Sequence, residues 1–181
     1  IIAEIAQAHD GSLGMAHSFI DAAKACGADA VKFQTHIADV ESSPQEPFRV
    51  PFSYEDKTRQ DYWQRTSFTM AQWGSLKRHC DNVGIEFMSS PFSIAAIHML
   101  EQLNMTRYKI ASGEINNYLL IDTIAALNKP IILSSGLSSI NDIDSTIQRI
   151  RAHHSQYSVL QCATEYPTSA ESIGLNVLAQ Y

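Results

Sequence analysis

Tyr108-Lys109-Ile110-Ala111-Ser112-Gly113-Glu114 is the stretch on which the fold turns: a short apolar run interrupted by one lysine, then a hydroxyl, a glycine and a carboxylate. It reads as a buried strand that runs into a polar loop. The same phrase recurs along the chain. Apolar, β-rich runs fall at residues 1–6, 30–34, 87–89, 108–111, 131–134 and 158–161, each leading into a polar cluster. Amphipathic helices lie between them. Ser12 is a candidate cap for a helix whose Leu13, Ala16, Ile20 and Ala23 share a face, with Gly27 to end it. Thr69 and Gln72 form a capping-box pattern ahead of Trp73, Leu76 and Cys80, and Ser139 precedes a stripe of Ile140, Ile143, Ile147 and Ile150. From the third run onward the runs stand about 20 to 30 residues apart, near the shortest βα repeat. Alternation of this kind predicts a parallel sheet.

The polar clusters sort to one end of the predicted strands. Gln7-Ala8-His9-Asp10, Gln34-Thr35-His36, Ser89-Ser90-Pro91-Phe92, Ser112-Gly113-Glu114, Ser134-Ser135-Gly136 and Thr164-Glu165-Tyr166 all follow a run, and the text before each run is plainer. A (β/α)8 TIM barrel places its site at the carboxyl ends of all its strands, whereas a doubly wound sheet concentrates chemistry at one switch point. No G-x-G-x-x-G follows the first run, so the expected fold is the barrel, here truncated to about six βα units. One connection breaks the rhythm. Residues 36–68 carry Pro44, Pro47 and Pro51 with Phe48, Phe52, Tyr54, Tyr62 and Trp63, which predicts a packed lid or a subunit contact, against a solvated excursion.

Composition narrows the partners. With 45% hydrophobic and 18% charged residues the 181-residue chain is an ordinary globular sequence, and its net charge of −6 argues against nucleic acid or an anionic membrane surface. No apolar run approaches the length of a membrane span, and the opening Ile1-Ile2-Ala3-Glu4 shows no basic segment or cleavage pattern. Cys26, Cys80 and Cys162 are far apart and odd in number, which predicts small core or helix-face residues in a reducing, cytoplasmic setting.

Two lysines stand inside predicted strands, Lys32 between Val31 and Phe33 and Lys109 between Tyr108 and Ile110. With a period of two, both ammonium groups point away from the helices and need a counter-charge. One reading pairs them with Glu4; others are an anion clamp or a Schiff-base amine. Two lysines suit the clamp better. Ser90, Ser112, Ser134 and Ser135 add hydroxyls at successive strand ends, as in a phosphate cradle, and Glu114 is a candidate acid or base beside it. No helical His pair or His-x-x-Glu spacing marks a metal site, and His153-His154 read as a solvated helix end.

At these residues the chain resembles the sialic acid synthase family. The resemblance rests on Ala3-Glu4-Ile5 with His9-Asp10-Gly11-Ser12, on Val31-Lys32-Phe33-Gln34-Thr35-His36, on Ser90-Pro91-Phe92-Ser93, and on the 108–114 stretch with Asn116-Asn117. It continues through Lys129-Pro130-Ile131-Ile132-Leu133-Ser134-Ser135-Gly136 and Cys162 with Tyr166-Pro167-Thr168. Legionaminic and pseudaminic acid synthases share these motifs. The resemblance implies a barrel enzyme that condenses phosphoenolpyruvate with an N-acetylated hexosamine, N-acetylmannosamine or a relative, to a nine-carbon keto acid with release of phosphate. By that similarity Lys32, Ser90, Lys109, Ser112 and Ser134 would hold phosphoenolpyruvate. Glu114 and Asp10 would serve catalysis, and Thr164 and Tyr166 would face the sugar. It also implies a homodimer and a divalent metal, manganese or magnesium, with its ligands beyond residue 181, so that the chain would be the N-terminal part of a barrel and inactive alone. Two rival readings are a class I aldolase using Lys32 or Lys109 as a Schiff base, and a non-catalytic ligand-binding fragment.

Overall fold

The computed structural model describes residues 1–48, 53–154, 156–165 and 167–181. Six strands alternate with helices in the order β1 (Ile2–Ala6), α1 (Leu13–Ala25), β2 (Ala30–Thr35), α2 (Ala38–Glu41), α3 (Arg59–Thr66), α4 (Met70–Val83), β3 (Glu86–Pro91) and α5 (Ile94–Gln102). Then follow β4 (Tyr108–Ile110), α6 (Tyr118–Ala125), β5 (Ile131–Ser134), α7 (Ile140–Arg151) and β6 (Tyr157–Leu160). Short 3-10 turns lie at Ser112–Glu114, Ala170–Ser172 and Leu175–Gln180. All the strand pairs are parallel, in two three-stranded sheets ordered β1-β2-β3 and β4-β5-β6. The expected α/β alternation is present. A closed eight-stranded barrel is not formed among the described residues, because their ladders end at these two sheets.

The chain divides into two compact units, Ile1–Met105 and Thr106–Tyr181. In the first, β2 is buried along nearly its whole length, and Phe33 packs in an aromatic cluster with Trp73 and Phe87 at ring-centroid distances of 5.7 Å each. Phe68 closes it at 5.2 Å from Trp73. Helices α1 and α4 pack together, α1 by burying Ala16 and Ile20 and α4 by burying Trp73, Leu76 and Cys80. The predicted caps form as hydrogen bonds: Ser12 accepts from Met15 N, and Thr69 makes a capping box with Gln72. In the second unit Tyr108, Ile110, Leu120, Ile121, Ile124, Leu133, Ile143 and Ile150 are buried, and α6 packs on α7.

Three expectations are corrected. The buried face of α7 is Ile143, Thr146 and Ile150, while Ile140 is 45% exposed. His154 is not a solvated cap: its Nδ1 accepts from Gln156 N and its Nε2 is buried. Among the cysteines only Cys80 is a core residue; Cys26 is exposed and Cys162 follows β6. The long connection is not structureless, since it forms α2 and α3; its Pro51 and Phe52 lie outside the described residues.

Candidate functional site

In the first unit the parallel register sets Glu4 beside Lys32, and Lys32 beside Met88. Lys32 is 7% exposed and its Nζ is ion-paired with the Glu4 carboxylate, so the counter-charge reading is realised for this lysine. Two residues further along, Gln34 stands beside Ser90, which period two puts on the Lys32 face. The neighbouring Ser89 belongs to the opposite face, where its Oγ shares a 2.7 Å hydrogen bond with Thr35 Oγ1.

Beyond β1 the backbone turns abruptly. Ala6 and Asp10 both adopt positive φ, at 49° and 50°, and Gly11 follows at 78°. A Cβ at Gly11 would lie 2.5 Å from Arg65 O, so only glycine allows α3 to approach this turn. Asp10 is exposed, and its Oδ1 accepts from Arg65 Nη1 at 2.7 Å. Arg65 also grips Asp56 through Nε and Nη2, at 2.9 and 2.7 Å. Asp10 therefore lines a pocket of about 360 Å³ with Ser53, Tyr54, Glu55, Tyr62 and Arg65, a different set from the Lys32 and Ser90 neighbours.

The second unit gathers another group at its strand ends. Lys109 is 5% exposed; its Nζ donates to Ile110 O at 2.8 Å and to Ser134 Oγ at 2.5 Å. Cys162 Sγ donates to the same Ser134 Oγ at 3.2 Å. Ser135 is tied down by its N and Oγ, both donating to Leu160 O at 3.1 and 3.0 Å. Gly136 is hemmed in: an added Cβ would meet Thr164 Cγ2 at 3.0 Å and Cys162 O at 3.1 Å, which locks the two strand-end loops together. The 3-10 turn after β4 carries Ser112 and Glu114, both half-buried, and Glu114 Oε2 accepts from Asn117 Nδ2 at 2.8 Å. Thr164 is exposed, and Tyr166 lies outside the described residues.

The structure thus joins Lys109 with Ser134, aligns Lys32 with Ser90 by register, and places Asp10 in a separate pocket of its own unit. Sequence reasoning missed Cys162 as a partner of Ser134, Arg65 as the partner of Asp10, and Glu41, described below. None carries a periodic signal, because none of the three separations, 28, 55 and five residues, matches the repeat of a helix or a strand. Among the described residues no group of three or more His, Cys, Asp or Glu side chains could hold a metal ion. These residues therefore do not by themselves fit the divalent metal that the resemblance implies. Among the described residues no helix is long and apolar enough to cross a membrane.

Comparison with known proteins follows the same lines. A model of the NeuB family matches residues 19–181. Human N-acetylneuraminate-9-phosphate synthase is 32% identical over 184 residues, covering 100% of this chain and 51% of that protein. The N,N'-diacetyllegionaminic acid synthase of Campylobacter jejuni is 30% identical, covering 98% of this chain and 55% of the relative. The crystal structure of the N-acetylneuraminic acid (sialic acid) synthetase of Leptospira borgpetersenii superposes with a TM-score of 0.86 at 24% identity, covering 99% of this chain and 61% of that one, and shows a shared fold. The chain spans about half the length of the two synthases it matches by sequence.

Proposed function

This chain belongs to the NeuB family, and on that premise we propose that its residues form the N-terminal part of a (β/α)8 barrel that condenses phosphoenolpyruvate with an N-acetylated hexosamine. The product is a sialic-type nine-carbon keto acid, and phosphate leaves. The observation that carries this reading is the pair of ammonium groups buried inside strands, Lys32 and Lys109. Phosphoenolpyruvate carries up to about three negative charges, and an acidic chain needs buried cations to hold it. By the family resemblance Lys32, Ser90, Lys109, Ser112 and Ser134 are the proposed ligands of its phosphate and carboxylate. Ser134 accepts from both Lys109 and Cys162, so its own proton is left to donate to an anion.

In this reading C3 of phosphoenolpyruvate attacks the sugar aldehyde, water adds at C2, and the tetrahedral intermediate loses phosphate by C–O cleavage. Glu114 moves the proton in these steps, held in orientation by Asn117. Asp10, Thr164 and Tyr166 are the proposed contacts to the acceptor. A divalent ion, manganese or magnesium, supplies a Lewis acid for the aldehyde when bound, with ligands from outside the described residues. A homodimer in the cytoplasm is the proposed working form.

Phosphate release by the protein in its full natural length, with phosphoenolpyruvate, candidate hexosamines and manganese or magnesium, tests the proposal. Release that needs both substrates is the expected result. Lys109→Ala should raise the phosphoenolpyruvate KM by about 10- to 100-fold, the loss of one charge-assisted contact, and Lys109→Arg should not restore it. Glu114→Gln should lower turnover by about 10²–10⁴; near-normal turnover would remove Glu114 from the chemistry. A lysine trapped by borohydride in the presence of substrate would replace the condensation with a Schiff-base aldolase. Against that outcome, Lys32 is engaged as an ammonium with Glu4, whereas a Schiff base needs a neutral amine.

A further inference from the structure

Above Lys32, on the same face of the first unit's sheet, lies a polar group that the anion reading does not use. Counting by two from Lys32 through Gln34 leads to His36, and the ladder that sets Gln34 beside Ser90 brings Phe92 alongside it. The imidazole is clasped between two rings. Trp63 of α3 stacks on it with centroids 3.7 Å apart and planes 7° apart, and Phe92 does so at 4.1 Å and 16°. Its side chain is 7% exposed.

Rotation within that clasp is fixed by Glu41. His36 Nδ1 donates to Glu41 Oε2 at 2.8 Å, while Glu41 Oε1 accepts from Ile37 N at 2.8 Å and from Ser93 Oγ at 3.1 Å. One carboxylate thereby ties the exits of β2 and β3 together. Because a carboxylate only accepts, Nδ1 holds a proton toward Glu41, and Nε2 is the ring nitrogen left for another partner. That Nε2 is buried and has no hydrogen-bond partner, a condition rare in folded proteins. His9 Nε2 is also buried without a partner, but the ring has different neighbours. Its Nδ1 accepts from Gly11 N, its ring packs on Phe68, and burial pushes it down to about 4, so it behaves as a neutral core ring. His36 is instead oriented by an acid, as a side chain is when its far nitrogen has work to do.

We propose that His36 Nε2 hydrogen-bonds to a hydroxyl group of the acceptor, which makes His36 a specificity-determining residue for a polyol substrate. The inference rests on the condensation reading above. An anion is a poor occupant, because the Glu41 carboxylate backs the ring. A metal ion is a poor one too, since no cluster of three ligands exists among the described residues. A hydroxyl, which can both donate and accept, satisfies the nitrogen without adding charge. At about 3.3 Å per residue, His36 stands roughly 13 Å along the strand from Lys32, on the loop side of the proposed anion ligands.

The test uses the full-length protein, with acceptor concentration varied at saturating phosphoenolpyruvate. His36→Phe keeps a ring in the clasp and removes Nε2; the acceptor KM should rise about tenfold while the phosphoenolpyruvate KM stays unchanged. If leaving Glu41 unpaired prevents folding, the double variant His36→Phe with Glu41→Gln removes the buried charge and should show the same acceptor loss. Monodeoxy acceptors identify the group: one of them should lose about tenfold with the wild type and nothing further with His36→Phe. An unchanged acceptor KM in a folded variant, or equal discrimination against every deoxy acceptor by both proteins, overturns the role of His36 and leaves the condensation standing. Absence of phosphate release by the wild type with any hexosamine overturns the condensation and this inference together.

Discussion

Arg65 shows how much a single side chain can organise without leaving a trace in the sequence pattern. Its guanidinium reaches 55 residues back to Asp10 and nine back to Asp56, and those separations match no helix or strand period. The sequence marks the 36–68 connection by its length, prolines and aromatics, which predict a packed lid or a subunit contact and name no partner for Arg65. The lysines were easier to read, because an ammonium inside an apolar run has few explanations, and both are buried. Hydrogen bonds from Arg65, and secondarily from Ser53, hold the Asp56 carboxyl below its ordinary range, against the opposing effect of burial. Asp56→Asn should therefore cost about 1–2 kcal/mol in urea unfolding near neutral pH, less than for a fully buried pair because Arg65 is partly exposed. A carboxylate with a depressed folded pKa stabilises above its unfolded value of about 3.9 and ceases to as pH falls through the folded one. The gap between wild type and Asp56→Asn should accordingly close in acid. A gap that persists unchanged at pH 2 would mean that packing, not charge, accounts for it.

At the scale of elements, the predicted caps were fully legible, while helix faces were legible for α4 and only in part for α7. Ser12, Thr69 and Ser139 all accept the expected backbone N–H, because a cap is a local contract between residues three apart. The face of α7 misleads since apolar periodicity cannot register a hydroxyl that finds a distant acceptor. Thr146 is fully buried, and its Oγ1 donates to Ile115 O at 2.7 Å. That bond lets a polar residue occupy the core side while Ile140 faces out. It also pins the segment just after the 3-10 turn that carries Ser112 and Glu114. Thr146→Val keeps the shape and strands the Ile115 carbonyl, so thermal unfolding should show a loss of about 1–3 kcal/mol. Turnover at 25 °C should fall with it if the turn loosens. A valine variant as stable as the wild type would show that the carbonyl finds another donor and that the hydroxyl is incidental to the turn.

Across the whole molecule, six strands, their alternation with helices and the parallel pairing of consecutive strands could be read from apolar runs. The division of the described ladders into two three-stranded sheets could not, because where a ladder ends is set by packing rather than by any one run. The same limit applies to acid–base behaviour, which depends on burial. His9 sits among Phe33 and Phe68, and burial lowers it from 6.5 to about 4 against a small opposing pull from Asp10. His17 is lowered too, first by burial and then by neighbouring His79. Burial pushes the Cys80 thiol from 9.0 up to about 12. The signs follow directly. Between about 6.5 and 4 the unfolded chain carries a proton on His9 that the folded chain refuses, so stability falls as pH drops through that window, by up to about 1.4 kcal/mol per pH unit. Between about 9 and 12 the unfolded chain loses a Cys80 proton that the folded chain keeps, so stability falls as pH rises. Urea midpoints measured from pH 4 to 10 should therefore trace a plateau from about 6.5 to 9, with a decline on either side. His9→Phe, which can pack in the same aromatic surroundings, should make the acid flank shallower, with the His17 share remaining, and leave the alkaline one untouched. Cys80→Ala should flatten the alkaline flank while lowering the whole curve through lost packing. An acid flank of equal slope in wild type and His9→Phe would transfer that slope to other groups and refute the assignment of a neutral, buried His9.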